Sequence, residues 1–356
     1  MDDGAVLERL LACYSPSGEE AKAVAEFGRL ARSFGYRTRV DRVGNGVAER
    51  GRGRPLVLFL GHIDTVEGER PVRRRAGRIH GRGAVDAKGA LVTALLAGRG
   101  FVGPGTFRIV AAVGEETDSR GAHLVARGAR PDAVIAGEPS GWDGLTIGYK
   151  GDLRFRATFS RPRSHWSSPF PTAADLAVAW VADLRAALGP GVAGSPFRSP
   201  SAKVVGFSSD PASDPEVATV TLDVRLPPGL STAEAIGRFP PATPRPQIQL
   251  LTRIEPLEVR RDDPVVDAFC RAIRAHGGTP TLWRRSGTSD LNVVARRWGP
   301  AGVAYGPGDS RLDHTSRESL PLADLARATG VLRAVIERLS GSAPGAPTPR
   351  RSAAVP

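Results

Sequence analysis

At 356 residues the chain is longer than one hydrophobic core usually fills, so two domains are expected. Hydrophobic residues at 41% and charged residues at 24% are ordinary for a soluble globular protein, and no apolar run is long enough to span a bilayer, which excludes a membrane partner. The formal net charge of +12 suits an acidic protein partner or an arginine-rich coding sequence; the arginines of RVGNGVAERGRGR, RPVRRRAGR and VARRWG lack interleaved aromatics, so no nucleic-acid partner is expected.

The N-terminal stretch MDDGAVLERLLACYS is acidic where a signal peptide would be basic, and its apolar positions recur at helical spacing, which reads as mature cytoplasmic sequence. Cys13 and Cys270 stand far apart without a CxxC partner, arguing against a disulfide framework or a thiolate zinc site and for free thiols. Three segments then share one design: PLVLFLGHID, TFRIVAAVGEE and PDAVIAGEP each open on a continuous apolar run, pass through Gly and finish on His, Asp or Glu. Such runs suit strands covered on both faces, and the helical stretches DAKGALVTALLAG and SRGAHLVARGA lie between them, the α/β pattern of a mostly parallel sheet flanked by helices. Ligands bind beyond the carboxyl ends of such strands, so the three polar tips are expected to converge.

After Lys150 the character changes. GDLRFRATFSR alternates apolar and polar residues; the helical ADLAVAWVADLRAAL follows, then KVVGFSS, ATVTLDVRL and PQIQLLTRIEP. This order predicts an α+β domain at 151–258, inserted into a domain built from 1–150 and 259–340. The second part runs from DDPVVDAFCRAIRAHGG to the helix LADLARATGVLRAVIERL, and the tail 341–356, rich in Pro, Ala, Ser and Gly, reads as disordered.

The six histidines have different settings. His62 ends a strand with Asp64 two residues on, where a carboxylate can support a metal-bound imidazole. His314 lies in the polar loop LDHTSRESL, whereas His80, His123 and His276 have no acidic neighbour and read as surface or capping residues. Asp86, Glu115, Glu116 and Glu138 fall at the same sheet edge, where converging acids repel unless positive charge is bound among them. Two divalent cations supply it, and nitrogen and oxygen donors without sulfur suit zinc, cobalt or manganese. Each acid also has a plainer reading: Asp86 as a helix cap, Glu138 in a strand-end turn, Glu115 and Glu116 as solvated loop charges.

The ordered set GHIDTV, GRGAVDAKGA, GEETDSRGA, GEPS, HWSSP, GTSDLN and LDHTSRESL resembles metallopeptidase family M20, the clan of aminoacylases and carboxypeptidase G2-like enzymes. Within it, GEPSGWDGLTIGYKG and GTSDLN resemble the hydrolases that release lysine, and in some organisms ornithine, from an acidic LysW-type amino-group carrier protein. The resemblance implies two divalent ions per subunit, Zn2+ or Co2+: one on His62 and Glu138, one on Glu116 and His314, with Asp86 bridging and Asp64 supporting His62. It further implies Glu115 as general base, His165 of the inserted lid domain as an oxyanion contact reaching in from the partner of a homodimer, and an amide as the bond cleaved.

Arg225 in LDVRLPP is either a substrate-carboxylate contact or half of an ion pair with Asp223. Asn292 stands where succinyl-diaminopimelate and acetylornithine deacylases carry an arginine, and Asn cannot make that ion pair, so a different substrate grip is expected; the same segment also reads as a turn with a helix N-cap. The alternatives are a small-molecule N-acyl-amino-acid deacylase or dipeptidase of the same family, and a metal-binding protein with the fold but no turnover. Retention of Glu115 argues against the latter, because binding alone needs no base.

Overall fold

The computed structural model describes residues 2–299 and 302–341; the expected tail, from 342 on, lies outside the described residues. The chain forms two compact units, the larger comprising residues up to Ile147, Val259–Trp283 and the chain from Ser289, the smaller Gly148–Glu258 with Arg284–Thr288.

In the larger unit, α1 (Asp3–Leu11) starts at Asp2, whose carboxylate accepts the Ala5 amide, and α2 (Ala21–Ser33) turns Val24, Phe27 and Leu30 inward. After β1 (Arg37–Val40) and β2 (Gly46–Arg52) comes β3 (Leu56–His62), buried along nearly its whole length. The short strands β4 (Arg73–Arg75) and β5 (Arg78–His80) lead to α3 (Lys88–Gly98), whose sequence is apolar on every side and which is correspondingly buried throughout. Then follow β6 (Gly105–Ala112), α4 (Arg120–Ala126), β7 (Ala133–Gly137) and β8 (Gly144–Tyr149).

The smaller unit holds β9 (Gly151–Arg161), α5 (Ala173–Leu188), β10 (Ser201–Asp210), β11 (Glu216–Leu226), α6 (Thr232–Gly237), β12 (Gln247–Ile254) and β13 (Leu257–Glu258). Its antiparallel sheet has the order β10-β11-β9-β12. The alternation of β9 puts Leu153, Phe155, Ala157 and Phe159 on the face that packs with Trp180 of α5, whose ring meets Phe155 edge-on at 6.1 Å. The short helix α6 carries a Ser231/Glu234 capping box.

Back in the larger unit, α7 (Pro264–Ala275), β14 (Thr281–Arg285), α8 (Asp290–Trp298), β15 (Val303–Ala304), β16 (Ser319–Pro321) and α9 (Leu322–Leu339) complete the described chain. The sheet runs β1-β2-β6-β3-β7-β15-β8. It is parallel from β6 through β15 and antiparallel outside that stretch, so the α/β reading holds, with parallel pairing confined to the centre. Register fixes the site: His62 pairs with Ala112 and Gly61 with Gly137, so three parallel strands end level and deliver His62, Glu115–Glu116 and Glu138 to one edge.

Asn45, fully buried, ties this edge together: its amide donates to Asp41 and to the Gly121 carbonyl, and its oxygen accepts the Val113 amide at 3.0 Å. Asn45→Ala strips buried backbone groups of their partner and is expected to cost about 2 kcal/mol; a denaturant titration superimposing on the parent's would contradict this. Lys88, fully buried, donates to the Cys13 carbonyl at 2.7 Å, and burial pulls its ammonium down to about 8. Unfolded lysine keeps its proton to roughly pH 10.4, so between these values the unfolded chain binds the extra proton and stability rises with pH. Relative to Lys88→Met, the parent should gain about 1–3 kcal/mol in unfolding free energy from pH 8 to 10.5; a pH-independent difference in chemical denaturation would refute it.

Candidate metal centre and active site

His62 closes β3 in full burial, and its Nδ1 lies 3.0 Å from the Asp64 backbone carbonyl and 3.7 Å from the Asp64 carboxylate. Donation from Nδ1 to that carbonyl leaves Nε2 facing Asp86 Oδ1, 3.0 Å away. The Asp64 carboxylate does different work: it accepts the amides of both Glu115 and Glu116 at 3.1 Å and the Ser17 hydroxyl at 2.6 Å. That double anchor holds the turn after β6, which Gly114 opens with a φ of 77°, a conformation glycine adopts without strain. The Gly114 carbonyl then accepts the Asp118 and Ser119 amides, closing the turn.

Asp86 precedes α3, and the Asp86–Ala87 peptide is cis. Its two carboxylate oxygens face different imidazoles, Oδ1 towards His62 and Oδ2 towards His314 Nε2 at 3.1 Å. His314, at a φ of 61°, also lies 3.0 Å from Glu116 Oε1. Three overlapping groups offer donor atoms within 4.8 Å of one another: His62, Asp86 and Glu138; Asp86, Glu116 and His314; and His62, Glu115 and Glu116. The first two share Asp86, and the third contains the adjacent glutamates.

The electrostatics follow from crowding. Burial pushes Glu115 and Glu138 well above the usual carboxylate range, with neighbouring acids adding to the effect and His62 opposing it. Burial works against charge on His62, yet its hydrogen bond to Asp86 and the surrounding carboxylates lift it well above the usual imidazole value. Burial would likewise raise Asp86, but hydrogen bonds with His314 and His62 hold it below the ordinary carboxylate range. His314, half-exposed, is raised to about 10 by its hydrogen bonds to Asp86 and Glu116. The cluster therefore attracts positive charge.

Asn292 is buried in the larger unit, and its Oδ1 accepts the Ser289 amide at 3.0 Å as part of the capping box that starts α8. Beside it Asp290 is buried, and burial pushes it up to about 7 against the opposing pull of His62 and a hydrogen bond with Ser119. Arg225 and His165 belong to the smaller unit. Arg225 forks onto Asp223 at 2.7 and 2.9 Å, and Asp223 also receives Arg154. His165 is exposed, with Nδ1 2.7 Å from Ser167 Oγ. Among the plainer histidines, His276 caps α7, its Nδ1 within 2.8 Å of the Ala272 carbonyl.

Sequence reasoning passed over several supports. Glu318 takes the amides of Val85 and Asp86 and pairs with Arg82, while Ser17 and Asn45 brace the glutamate turn. Glu318 and Arg82 sit inside the quoted segments LDHTSRESL and GRGAVDAKGA, but nothing in either segment links them.

The sequence profile of peptidase family M20/M25/M40 matches residues 58–338. The chain is similar to a LysW-lysine hydrolase of Deinococcus radiodurans, 40% identical over 344 residues covering 92% of this chain and 94% of that one. It is also similar to a putative LysW-lysine/LysW-ornithine hydrolase of Thermococcus kodakarensis, 37% identical over 94% of this chain and 92% of its relative. Among solved structures, an M20 family metallo-carboxypeptidase from Sulfolobus solfataricus superposes with a TM-score of 0.75 at 16% identity, over 96% of this chain and 100% of that one. By profile and by relatives spanning nearly its whole length, the chain belongs to peptidase family M20/M25/M40.

Proposed function

We propose that the chain is a di-metal hydrolase that cleaves the amide between an acidic LysW-type carrier protein and the α-amino group of lysine or ornithine, releasing the free amino acid. The observation that carries the chemistry is the pair of donor sets that share Asp86. The residues fit divalent cations: the donors are imidazole nitrogen and carboxylate oxygen without sulfur, the mixture that zinc, cobalt and manganese accept. Two burial-raised acids, Glu138 among the donors and Glu115 beside them, gain from nearby positive charge. On this reading His62, Asp86 and Glu138 would hold one ion and Asp86, Glu116 and His314 the other, with Zn2+ or Co2+ as the resident metal.

Bound there, the ions would acidify a water and polarise the amide carbonyl. Glu115, next to the assigned ligand Glu116 and held through its amide by Asp64, would take a proton from the attacking water and return it to the leaving amine. Asp64 fixes the backbone of both glutamates, so that one carboxylate is committed to binding and its neighbour to proton transfer. His165, whose exposed ring is steadied by Ser167, is assigned to the oxyanion of the tetrahedral intermediate, reaching in from the second subunit of a homodimer.

The carrier-bound substrate is supported by the two relatives named for it, each covering more than nine-tenths of the chain. The net charge of +12 favours encounter with an acidic carrier. Asn292, where succinyl-diaminopimelate and acetylornithine deacylases carry a carboxylate-gripping arginine, fits a different substrate grip. Among the described residues no helix is long and apolar enough to cross a membrane.

Two experiments test the reading. Purified protein loaded with Zn2+ or Co2+ is expected to release lysine or ornithine from aminoacylated carrier and to leave N-acetylated amino acids largely intact; turnover of only the acetylated compounds would replace the carrier reading with a small-molecule deacylase. Glu115→Gln should retain two metal equivalents by elemental analysis while losing roughly 10²–10⁴-fold in kcat. A fully active Glu115→Gln enzyme would remove the base from the mechanism.

A further inference from the structure

Glu318 is a buried acid that the chemistry above does not use. Its side chain and that of Arg82 are only 1% and 5% exposed, and they pair at 2.9 Å. Buried ion pairs are weak contributors to stability, because desolvation consumes most of the attraction, so the place where the remaining hydrogen bonds go is informative. Oε1 of Glu318 accepts the amides of Val85 at 3.0 Å and of Asp86 itself at 3.2 Å. Arg82 also donates to the Gly68 carbonyl at 3.2 Å and lies 3.4 Å from the carbonyl of Thr315, the residue after His314. A return contact runs from the Gly81 amide to the Glu318 carbonyl. The pair thus joins the loop that presents Asp86 to the segment that presents His314, and those two side chains meet 3.1 Å apart.

We propose that Glu318, steadied by Arg82, is a positioning residue that sets the spacing between Asp86 and His314 and so governs affinity for the cation assigned to Asp86, Glu116 and His314. The inference rests on that ligand assignment. It makes a distinction that a merely stabilising ion pair does not: length at position 318 matters more than charge. Supporting groups behind metal ligands commonly account for 10–100-fold in metal affinity.

Metal-free full-length protein is titrated with Co2+ and followed by visible absorption and calorimetry, with thermal unfolding in parallel. Glu318→Asp keeps the charge opposite Arg82 but draws the oxygen away from the two amides; Glu318→Gln keeps the length and an acceptor oxygen but loses the charge. Expected is a loss on the order of 10–100-fold in affinity for one of two ions in Glu318→Asp, with an altered Co2+ spectrum, and a change within about threefold in Glu318→Gln. Phe27→Leu, a fully buried substitution on α2, should lower Tm without weakening either ion. The reverse order of the two Glu318 variants, parent-like titration of both, or equal loss in Phe27→Leu would overturn the inference. His314→Ala separates the two levels: if it too leaves both ions bound as in the parent, the ligand assignment falls and the positioning role with it. If His314→Ala loses an ion while Glu318→Asp does not, only the positioning role falls.

Discussion

The structure is organised around a repulsion. Asp86, Glu115, Glu116 and Glu138 are brought together with two imidazoles, His62 and His314, among them. Two like charges about 4 Å apart repel by about 4 kcal/mol at an effective dielectric of about 20, and several such pairs rival the entire stability of an ordinary domain, about 5–15 kcal/mol. The fold must therefore force the acids together, and the repulsion is relieved by the two imidazoles and by a raised proton affinity at Glu115 and Glu138. Level parallel strands do the forcing: the register of β3 with β6 and β7 leaves the tips nowhere to diverge, and the apolar interior behind them, from Phe59 to Ile135, makes retreat costly.

Within that arrangement the adjacent glutamates cease to be a paradox. In an extended strand they would point to opposite faces, but they sit in a turn held by the Asp64 carboxylate through both of their amides. One acid behind the turn fixes the backbone, and each side chain is free to take a different partner. Glu116 meets His314, while Glu115 feels His62 and the surrounding acids. The same economy recurs at Glu318, whose carboxylate holds the amide of Asp86 from behind.

Much of this was legible in the sequence. The runs PLVLFLGH and TFRIVAA announced buried strands because both faces are covered, and the all-apolar α3 announced a buried helix. The short strands β4 and β16 did not announce themselves: RRR carries no periodic signal, and three residues pair only because tertiary structure brings them to β5. The outer strands β1 and β2 were passed over for a similar reason, since seven of their eleven residues are charged or glycine. In the site, residue types and strand-end placement marked the acids and histidines, whereas the partners behind them lie far off in sequence. Glu318 reaches Asp86 across 232 positions and Asn45 reaches Val113 across 68, and linear spacing encodes neither. For Asn292 and Arg225 the sequence allowed either a ligand contact or a local one, and the local ones are present: a helix cap and a fork onto Asp223.

The two-residue strand β15 lies between β7 and β8, and its place in the chain has a consequence for how the protein is made. On the ribosome, β7 emerges long before Val303 and Ala304, with the whole smaller unit synthesised in between. At about 5–20 residues per second, the outer edge of β7 waits roughly ten to thirty seconds for its partner. Throughout that interval the nascent sheet carries an open, apolar hydrogen-bonding edge of the kind that recruits foreign strands, so safe assembly in the cell depends on that edge being shielded until translation is nearly finished.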